Sequence, residues 1–202
     1  MPTSQWGVCR VARPFFLTNS RLKPTIEQMK QPKIYLANPC GFTKSTRKFM
    51  YEELVPRIEG LGFVVTNPWD IQDKKEIAKA FNAVGKSSTN KAKEIFNKLW
   101  YKVGRCNQEA IDESDAVVAV LEGQELDAGV CAEVGYAFAK DKKVFGYRED
   151  LRQSGEFFSI ISVQVQYFVE ASTGKITENL DELEKLLKRY KASFGRNEKE
   201  NL

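Results

Sequence analysis

Glu133 is the residue whose type and position most strongly suggest chemistry. It lies in a segment with helical periodicity, where Val130 and Val134 mark the apolar face and Glu133 falls roughly 85° from the centre of that face. A carboxylate beside the core, in the early turns of a helix whose positive end stabilises anions, can stay ionised while poorly hydrated. A carboxylate nucleophile needs that state. A purely structural glutamate is the alternative that the spacing leaves open.

The chain contains no histidine. This excludes Ser-His-Asp and Cys-His catalysis, an imidazole acid or base, and histidine-ligated metals. Proton transfer must use carboxylates, tyrosines, lysines or thiols. Since no carboxylate cluster has the spacing of a hard-cation site, we also expect no metal and no cofactor.

The loops that follow strands are the next candidates, because ligands of an open parallel sheet bind outside the carboxyl ends of its strands. Gly41 and Phe42 follow the first predicted strand, in a turn whose backbone amides could approach a ligand before a helix begins. An ordinary strand-to-helix turn is the alternative. Asp127 is a candidate N-cap for the helix after the third predicted strand. No Rossmann fingerprint or P-loop is present.

Short apolar runs alternate with longer helical patterns from Lys33 onwards, which indicates parallel strands joined by crossover helices. A kink is expected at Pro56. The predicted helices cover residues 43–61, a lysine-rich region around 77–81, 92–114, 129–140 and 179–194. The predicted strands cover residues 34–37, 63–66, 116–121, 143–147 and 160–169.

The composition indicates one compact domain without a strongly charged surface. The 202 residues are 42% apolar and 29% charged, with a net charge of +4. Because so small an excess builds no dominant basic field, we do not expect nucleic acid as a partner. No apolar stretch approaches the ~20 residues that span a bilayer, so we expect no membrane association.

The first residues differ in character from the rest of the chain. We divide the sequence into an N-terminal extension (1–32), a catalytic domain (33–196) and a polar tail (197–202). The extension is rich in arginine and poor in acids, as in an organelle transit peptide. The alternative is that Met29 opens the functional unit.

The cysteines bear on location in the cell. Cys9, Cys40, Cys106 and Cys131 are widely separated and match neither a zinc ribbon nor a dithiol motif. We therefore expect reduced thiols and a cytoplasmic protein, or an organellar one if residues 1–28 are a transit peptide.

Several of these features together resemble the nucleoside 2-deoxyribosyltransferases. They are the strand 34–37 with Phe42, Asn107 eight residues before Asp115, the apolar run 116–121, and D-x-G-x-x-x-E-x-G-Y-A at 127–137. The resemblance implies a flavodoxin-like (Rossmann-like) three-layer α/β sandwich with a five-stranded parallel sheet. It also implies an enzyme that moves 2-deoxyribose between nucleobases through a covalent glycosyl ester. Its partners would be deoxynucleosides and free nucleobases, in a homo-oligomer whose sites are completed across an interface.

The resemblance also assigns roles to individual residues. Glu133 would be the nucleophile, Tyr35 would orient its carboxylate, and Asp127 would assist proton transfer to the base. The implied substrate-binding residues are Asn107, Phe42, Gly41 and Gly129. Trp69 and Asp70 follow the second strand and are candidate contacts for the base. A turn with a core tryptophan is the alternative for Trp69.

Two features depart from the family pattern. An asparagine that often follows the nucleophile and reaches a neighbouring subunit's 5′-hydroxyl site is missing, and Ser159 is the candidate substitute. The region 71–105 is long and lysine-rich, which puts the base preference in doubt.

Two other functions compete with transfer. Related 2-deoxynucleoside 5′-phosphate N-hydrolases let water resolve the intermediate, and they should favour a loop rich in hydroxyls and amides after the first strand. Here that loop carries Pro39, Cys40 and Phe42, which favours transfer. A non-catalytic nucleotide-binding module is the third alternative, but it has no need for an ionised carboxylate beside the core.

We predict that residues 1–28 are dispensable for folding and turnover, given their composition and the strand that follows Met29. A chain that starts at Met29 should fold and should match the full chain in rate of base release. Aggregation or loss of turnover would show that the extension is integral.

Overall fold

The computed structural model describes residues 31–84 and 86–200, with side chains as far as residue 194. Its parallel strands form one sheet in the order β2-β1-β3-β4-β5. Most of the predicted extension lies outside the described residues. The strands are β1 (Lys33–Ala37), β2 (Val64–Thr66), β3 (Ala116–Val120), β4 (Lys143–Tyr147) and β5 (Ile176–Thr177).

Helices cover both faces of this sheet. The described α-helices are α1 (Lys44–Phe49), α2 (Val55–Gly60), α3 (Pro68–Ile71), α4 (Lys74–Val84), α5 (Thr89–Glu113), α6 (Ala128–Ala139), α7 (Val163–Ala171) and α8 (Leu180–Glu200). Residues of α1, α2 and α8 pack on one face, and residues of α5, α6 and α7 pack on the other. The predicted flavodoxin-like three-layer sandwich is therefore confirmed.

Successive side chains of β1 point to opposite faces of the sheet, and this alternation decides which of them face the helix α6. Ile34 and Leu36 pack with α8 residues, whereas Tyr35 and Ala37 pack with α6 residues. β1 pairs with β2 on one side and with β3 on the other. The carboxyl ends of β1 and β3 therefore form the switch point at which open α/β sheets bind ligands.

The helix predicted over residues 43–61 is interrupted before Pro56. A π-helical turn, Met50–Leu54, separates α1 from α2, and the Val55 N–H donates to the Met50 carbonyl. Proline has no N–H to continue an α-helical ladder, and its ring would clash with the carbonyl four residues earlier. The wider π turn accommodates this defect, so the irregularity begins one turn before the proline.

The predicted strand over residues 160–169 is wrong. The helix α7 occupies most of that segment, and the last strand is β5. Alternating valines suggested a strand because β-branched residues favour sheets. In the fold, Val165 and Val169 lie four residues apart and are buried together against the cluster that contains α6 residues. Packing on one helical face outweighs the local preference.

The structure corrects one of the expectations about thiols. Cys40 and Cys131 are free, as predicted. Cys106 is disulfide-bonded, so the expectation of a reduced thiol is wrong at that position. Cys9 lies outside the described residues. Within residues 31–84 and 86–200, no helix combines the length and the apolar character needed to cross a membrane.

We predict that Gly104→Ala stabilises the protein. Gly104 lies in the middle of α5 with open space where a Cβ would be, and alanine favours a helix over glycine by about 0.5–1 kcal/mol. Gly174 provides the contrast, because an added Cβ there would collide with the Val144 carbonyl oxygen. Urea unfolding should give a higher midpoint for Gly104→Ala and a lower one for Gly174→Ala. A lower midpoint for Gly104→Ala would contradict the prediction.

Candidate active site

The centre of the site is a hydrogen bond between β1 and α6. The fully buried Tyr35 donates its hydroxyl to Oε1 of Glu133 at 2.7 Å. The position of Glu133 follows from the start of its helix, where the Asp127 side chain accepts the Val130 N–H at 2.9 Å. This N-cap defines the first turn of α6 and brings Glu133, in the second turn, over the Tyr35 side of the sheet.

A second donor reaches the same carboxylate oxygen from α5. Asn107 donates its side-chain amide to Oε1 of Glu133 at 3.2 Å. Gln72, directly after α3, donates in turn to Oδ1 of Asn107 at 2.9 Å. Among the described residues, both hydrogen bonds to this carboxylate go to Oε1, and no donor reaches Oε2. One oxygen is therefore fixed, and the other is available for chemistry.

Burial dominates the electrostatics of Glu133. The pKa of Glu133 is raised to about 7. Desolvation raises it most, the hydrogen bonds from Tyr35 and Asn107 lower it, and the charge of Asp127 raises it. The carboxyl is therefore only partly ionised at neutral pH. Burial also raises the pKa of Tyr35, so its hydroxyl remains a donor.

A cavity of about 730 Å³ lies beside Glu133. It lies at the carboxyl ends of β1 and β3, with residues of α3, α4 and α5 on its outer side. The sequence-predicted residues that line it are Gly41, Phe42, Trp69, Asp70, Asn107, Asp127, Gly129 and Glu133. The volume lies within the range of small-molecule sites.

Aromatic side chains form one wall of this cavity. Phe42 is 70% exposed and meets Trp69 edge to face, with ring centroids 4.8 Å apart. The Trp69 indole N–H points to Asn38, whose backbone oxygen is 3.2 Å away. Gly41 is required here, because a Cβ would overlap the Trp69 ring. Trp69 therefore both packs against the loop and faces the cavity.

Asp70 gives the cavity a polar region. Its carboxylate accepts the Tyr51 hydroxyl at 2.7 Å and the Asn67 side-chain amide at 3.0 Å. Ser159, in contrast, is buried elsewhere, and its hydroxyl donates to the Ile161 carbonyl at 2.6 Å. It is not among the cavity residues. The structure thus brings every predicted site residue together except Ser159.

Sequence reasoning missed several residues of the outer wall. Gln72, Ile77, Trp100 and Val103 line the cavity from the lysine-rich region. A signal for two of them was present: Trp100 and Val103 precede Asn107 at helical spacing, so all of them share one face of α5. No comparable pattern marks Gln72. Within the described part of the chain, no cluster of three or more His, Cys, Asp or Glu side chains could hold a metal ion.

The fold and the site define an α/β protein with a carboxylate-centred cavity at the switch point of its sheet. Residues 34–182 match the family model described as "Nucleoside 2-deoxyribosyltransferase". The chain belongs to the nucleoside 2-deoxyribosyltransferase family. Membership indicates an enzyme that acts on the N-glycosidic bonds of nucleosides. A comparison with curated proteins found no match.

Solved structures with the same fold include a conserved protein from Enterococcus faecalis V583. It is 22% identical with a TM-score of 0.57, and the match covers 79% of this chain and 99% of that one. A 2-deoxyribosyltransferase from Bacillus psychrosaccharolyticus is 20% identical with a TM-score of 0.48, covering 75% and 90%. A CMP N-glycosidase from Clostridium botulinum is 19% identical with a TM-score of 0.44, covering 78% and 98%.

We predict that kcat/KM for cleavage of the glycosidic bond rises with pH through about 7, the pKa to which burial raises Glu133. If Glu133 is the nucleophile, only its ionised form can attack, and the fraction of that form increases as pH passes the pKa, so the rate at pH 6 should be about tenfold below that at pH 8. Release of free base from a deoxynucleoside gives the measurement. A rate that is flat or falls between these values would contradict the role of Glu133.

Proposed function

We propose that the chain transfers 2-deoxyribose between nucleobases through a covalent glycosyl ester on Glu133. The observation that carries this proposal is the arrangement of the carboxylate. Tyr35 and Asn107 donate to Oε1, no described residue donates to Oε2, and a cavity large enough for a nucleoside lies alongside. The hydrogen bonds to Oε1 orient the carboxylate, and the poorly hydrated Oε2 is suited to attack at short range.

The reaction has two displacements. In the first, Oε2 of Glu133 forms a bond to C1′ while the C1′–N bond breaks, and the departing base takes the electron pair and a proton. Asp127, which also lines the cavity, is proposed to assist this transfer by relaying a proton from solvent to the base. In the second, a nitrogen of the incoming base attacks C1′, the ester C–O bond breaks, and the proton returns. The carboxylate is regenerated.

The walls of the cavity fit the two halves of a nucleoside. Phe42 and Trp69, with Trp100 on α5, offer aromatic surface to a planar base. Glu133 and Asp127 lie at the start of α6, where the sugar would have to be placed for attack at C1′. Aromatic faces accept any base, so this wall supports exchange among several bases.

A 2′-deoxynucleoside 5′-phosphate N-hydrolase is the second candidate, and a specific feature favours it. Arg47 and Lys74 both line the cavity, and a guanidinium and an ammonium are suitable partners for a phosphate. The Arg47 guanidinium also donates to the Gly41 carbonyl at 2.7 Å, which places it at the loop after β1. In this reaction water, rather than a base, would attack the glycosyl ester.

One assay separates these candidates. The protein is incubated with a deoxynucleoside or its 5′-phosphate, with and without a second base. A new deoxynucleoside supports transfer, and free sugar phosphate from the nucleotide supports hydrolysis. Absence of turnover with both substrates indicates a non-catalytic binding module. Purine and pyrimidine acceptors in the same assay give the base preference.

We also propose a homo-oligomer. Phe157 and Phe158, in the loop before α7, are 91% and 86% exposed and pack on each other with ring centroids 4.2 Å apart. Adjacent exposed aromatic rings on a surface are typical of interaction sites, and a second copy of the chain is the occupant that the family resemblance implies. Sedimentation of the full chain tests this, and a fully active monomer would contradict it. A cytoplasmic location stays a prediction.

We predict that Glu133→Gln abolishes base exchange and hydrolysis together, because both pass through the same glycosyl ester. The fold should survive, since the amide keeps the shape of the side chain and removes a poorly hydrated charge. Mass spectrometry of wild-type protein quenched with a deoxynucleoside should find a deoxyribosyl adduct on the peptide that contains Glu133.

Two further variants serve as controls. Glu125→Gln makes the same change at an exposed position in the loop before α6 and should leave activity unchanged. Tyr35→Phe removes only the orienting hydroxyl, so activity should fall about ten- to a hundredfold, as for loss of a hydrogen bond to a charged acceptor. Near-normal exchange in folded Glu133→Gln, or an adduct on another peptide, would refute the mechanism.

A further inference from the structure

Two side-chain amides connect the outer wall of the cavity to the nucleophile. Gln72 is half-buried directly after α3 and donates through Nε2 to Oδ1 of Asn107 at 2.9 Å. Asn107 then donates through Nδ2 to Oε1 of Glu133 at 3.2 Å. The three side chains come from different parts of the chain and form a single directed sequence of hydrogen bonds.

We propose that Gln72 is a positioning residue that, through the side chain of Asn107, sets the pH at which Glu133 becomes ionised. Gln72 need not touch the reacting atoms for this. The inference rests on the proposed function where it concerns turnover, but the effect of Gln72 on the Glu133 carboxyl is a property of the protein alone.

The orientation of the Asn107 amide decides which of its two ends faces Glu133. One end is an oxygen that only accepts hydrogen bonds, and the other is an NH₂ group that only donates. When Gln72 donates to the oxygen, the NH₂ group must face Glu133, where it stabilises the charged carboxylate. With the amide reversed, its oxygen would face the carboxylate and favour the protonated acid. The observed donation from Gln72 to the oxygen fits the orientation that supports ionisation, and it polarises the amide so that the NH₂ group donates more strongly to Glu133.

The other groups that act on Glu133 come from β1 and from the start of α6. The Tyr35 hydroxyl on β1 favours the carboxylate, whereas burial and the Asp127 carboxylate at the N-cap of α6 oppose it. Asn107 on α5 and Gln72 after α3 contribute amides without charge. Arg47, Asp70 and Lys74 are the other charged side chains that line the same cavity. Removal of the Gln72 amide thus changes one donor and no charge.

The direct test is a titration that needs no substrate. In protein labelled with ¹³C at the glutamate side-chain carboxyl, the Glu133 resonance is identified by its loss in Glu133→Gln. Gln72→Met keeps the length of the side chain and removes the donor. We expect Glu133 in this variant to titrate about 0.5–1 pH unit higher than in the wild type, as for weakened hydrogen bonding to a charged group.

Gln108→Met is the matched control. Gln108 is the next residue of α5, and its side-chain amide donates to the Tyr136 hydroxyl at 3.1 Å, outside the cavity. The variant makes the same chemical change on the same helix, so the Glu133 titration should match the wild type. If Gln72→Met does not fold, Gln72→Leu replaces it, because leucine also removes the donor without adding a charge.

Kinetics test whether Gln72 acts through Asn107. In Gln72→Met, kcat/KM at pH 6 should fall about three- to tenfold and approach the wild-type value above pH 8, because only the ionisation has moved. In Asn107→Leu, kcat/KM at pH 6 should fall at least as far. The double variant should be no slower than Asn107→Leu alone, since the Gln72 contribution needs the asparagine.

An unchanged Glu133 titration in folded Gln72→Met would overturn the inference, and so would a double variant whose losses are additive. Both outcomes are distinct from failure of the proposed function. If the wild type neither exchanges nor hydrolyses nucleosides, the proposed function is wrong, and the titration still decides whether Gln72 controls Glu133.

Discussion

The hydrogen bond from Tyr35 to Glu133 is the contact on which the site depends. It joins residues 98 positions apart in the sequence, so it forms only when the sheet and its helices have assembled. The alternation of β1 must direct Tyr35 towards α6, and the Asp127 N-cap must set the rotation of that helix. An error of one residue in either element would turn one of the two side chains away. The geometry of the site is thus a direct product of the strand register.

The same contact resolves a conflict between burial and charge. A carboxylate that loses water becomes a better nucleophile but also resists ionisation. Here two donors reach one oxygen and partly offset the desolvation. The glycine at position 41 allows the Trp69 ring to approach the loop after β1, at the wall of the same cavity. The site combines low hydration with enough ionised carboxylate to act near neutral pH.

The sequence was most informative where function and local structure impose the same pattern. The helix that carries Glu133, its Asp127 cap and the buried strand β3 could all be predicted, because each has a strong local signal. The segment around Val165 could not, because its β-branched residues favour a strand locally while the packing of a single face makes it a helix. Gln72 was missed for a different reason. It lies in a loop without periodicity, and its place in the site comes from a hydrogen bond to Asn107, 35 residues further along the chain.

The helix α5 carries both Trp100, on the wall where a base is proposed to lie, and Asn107, two turns further on, against Glu133, the proposed nucleophile. A helix of 25 residues is a stiff body, so a displacement of the helix at one of these residues also moves the other. A base that pushed Trp100 outwards by about 1 Å would lengthen the Asn107–Glu133 hydrogen bond at the same time. Discrimination among bases would then be expressed in the rate of bond breaking as well as in affinity. A misfitting base would be bound and yet turned over slowly.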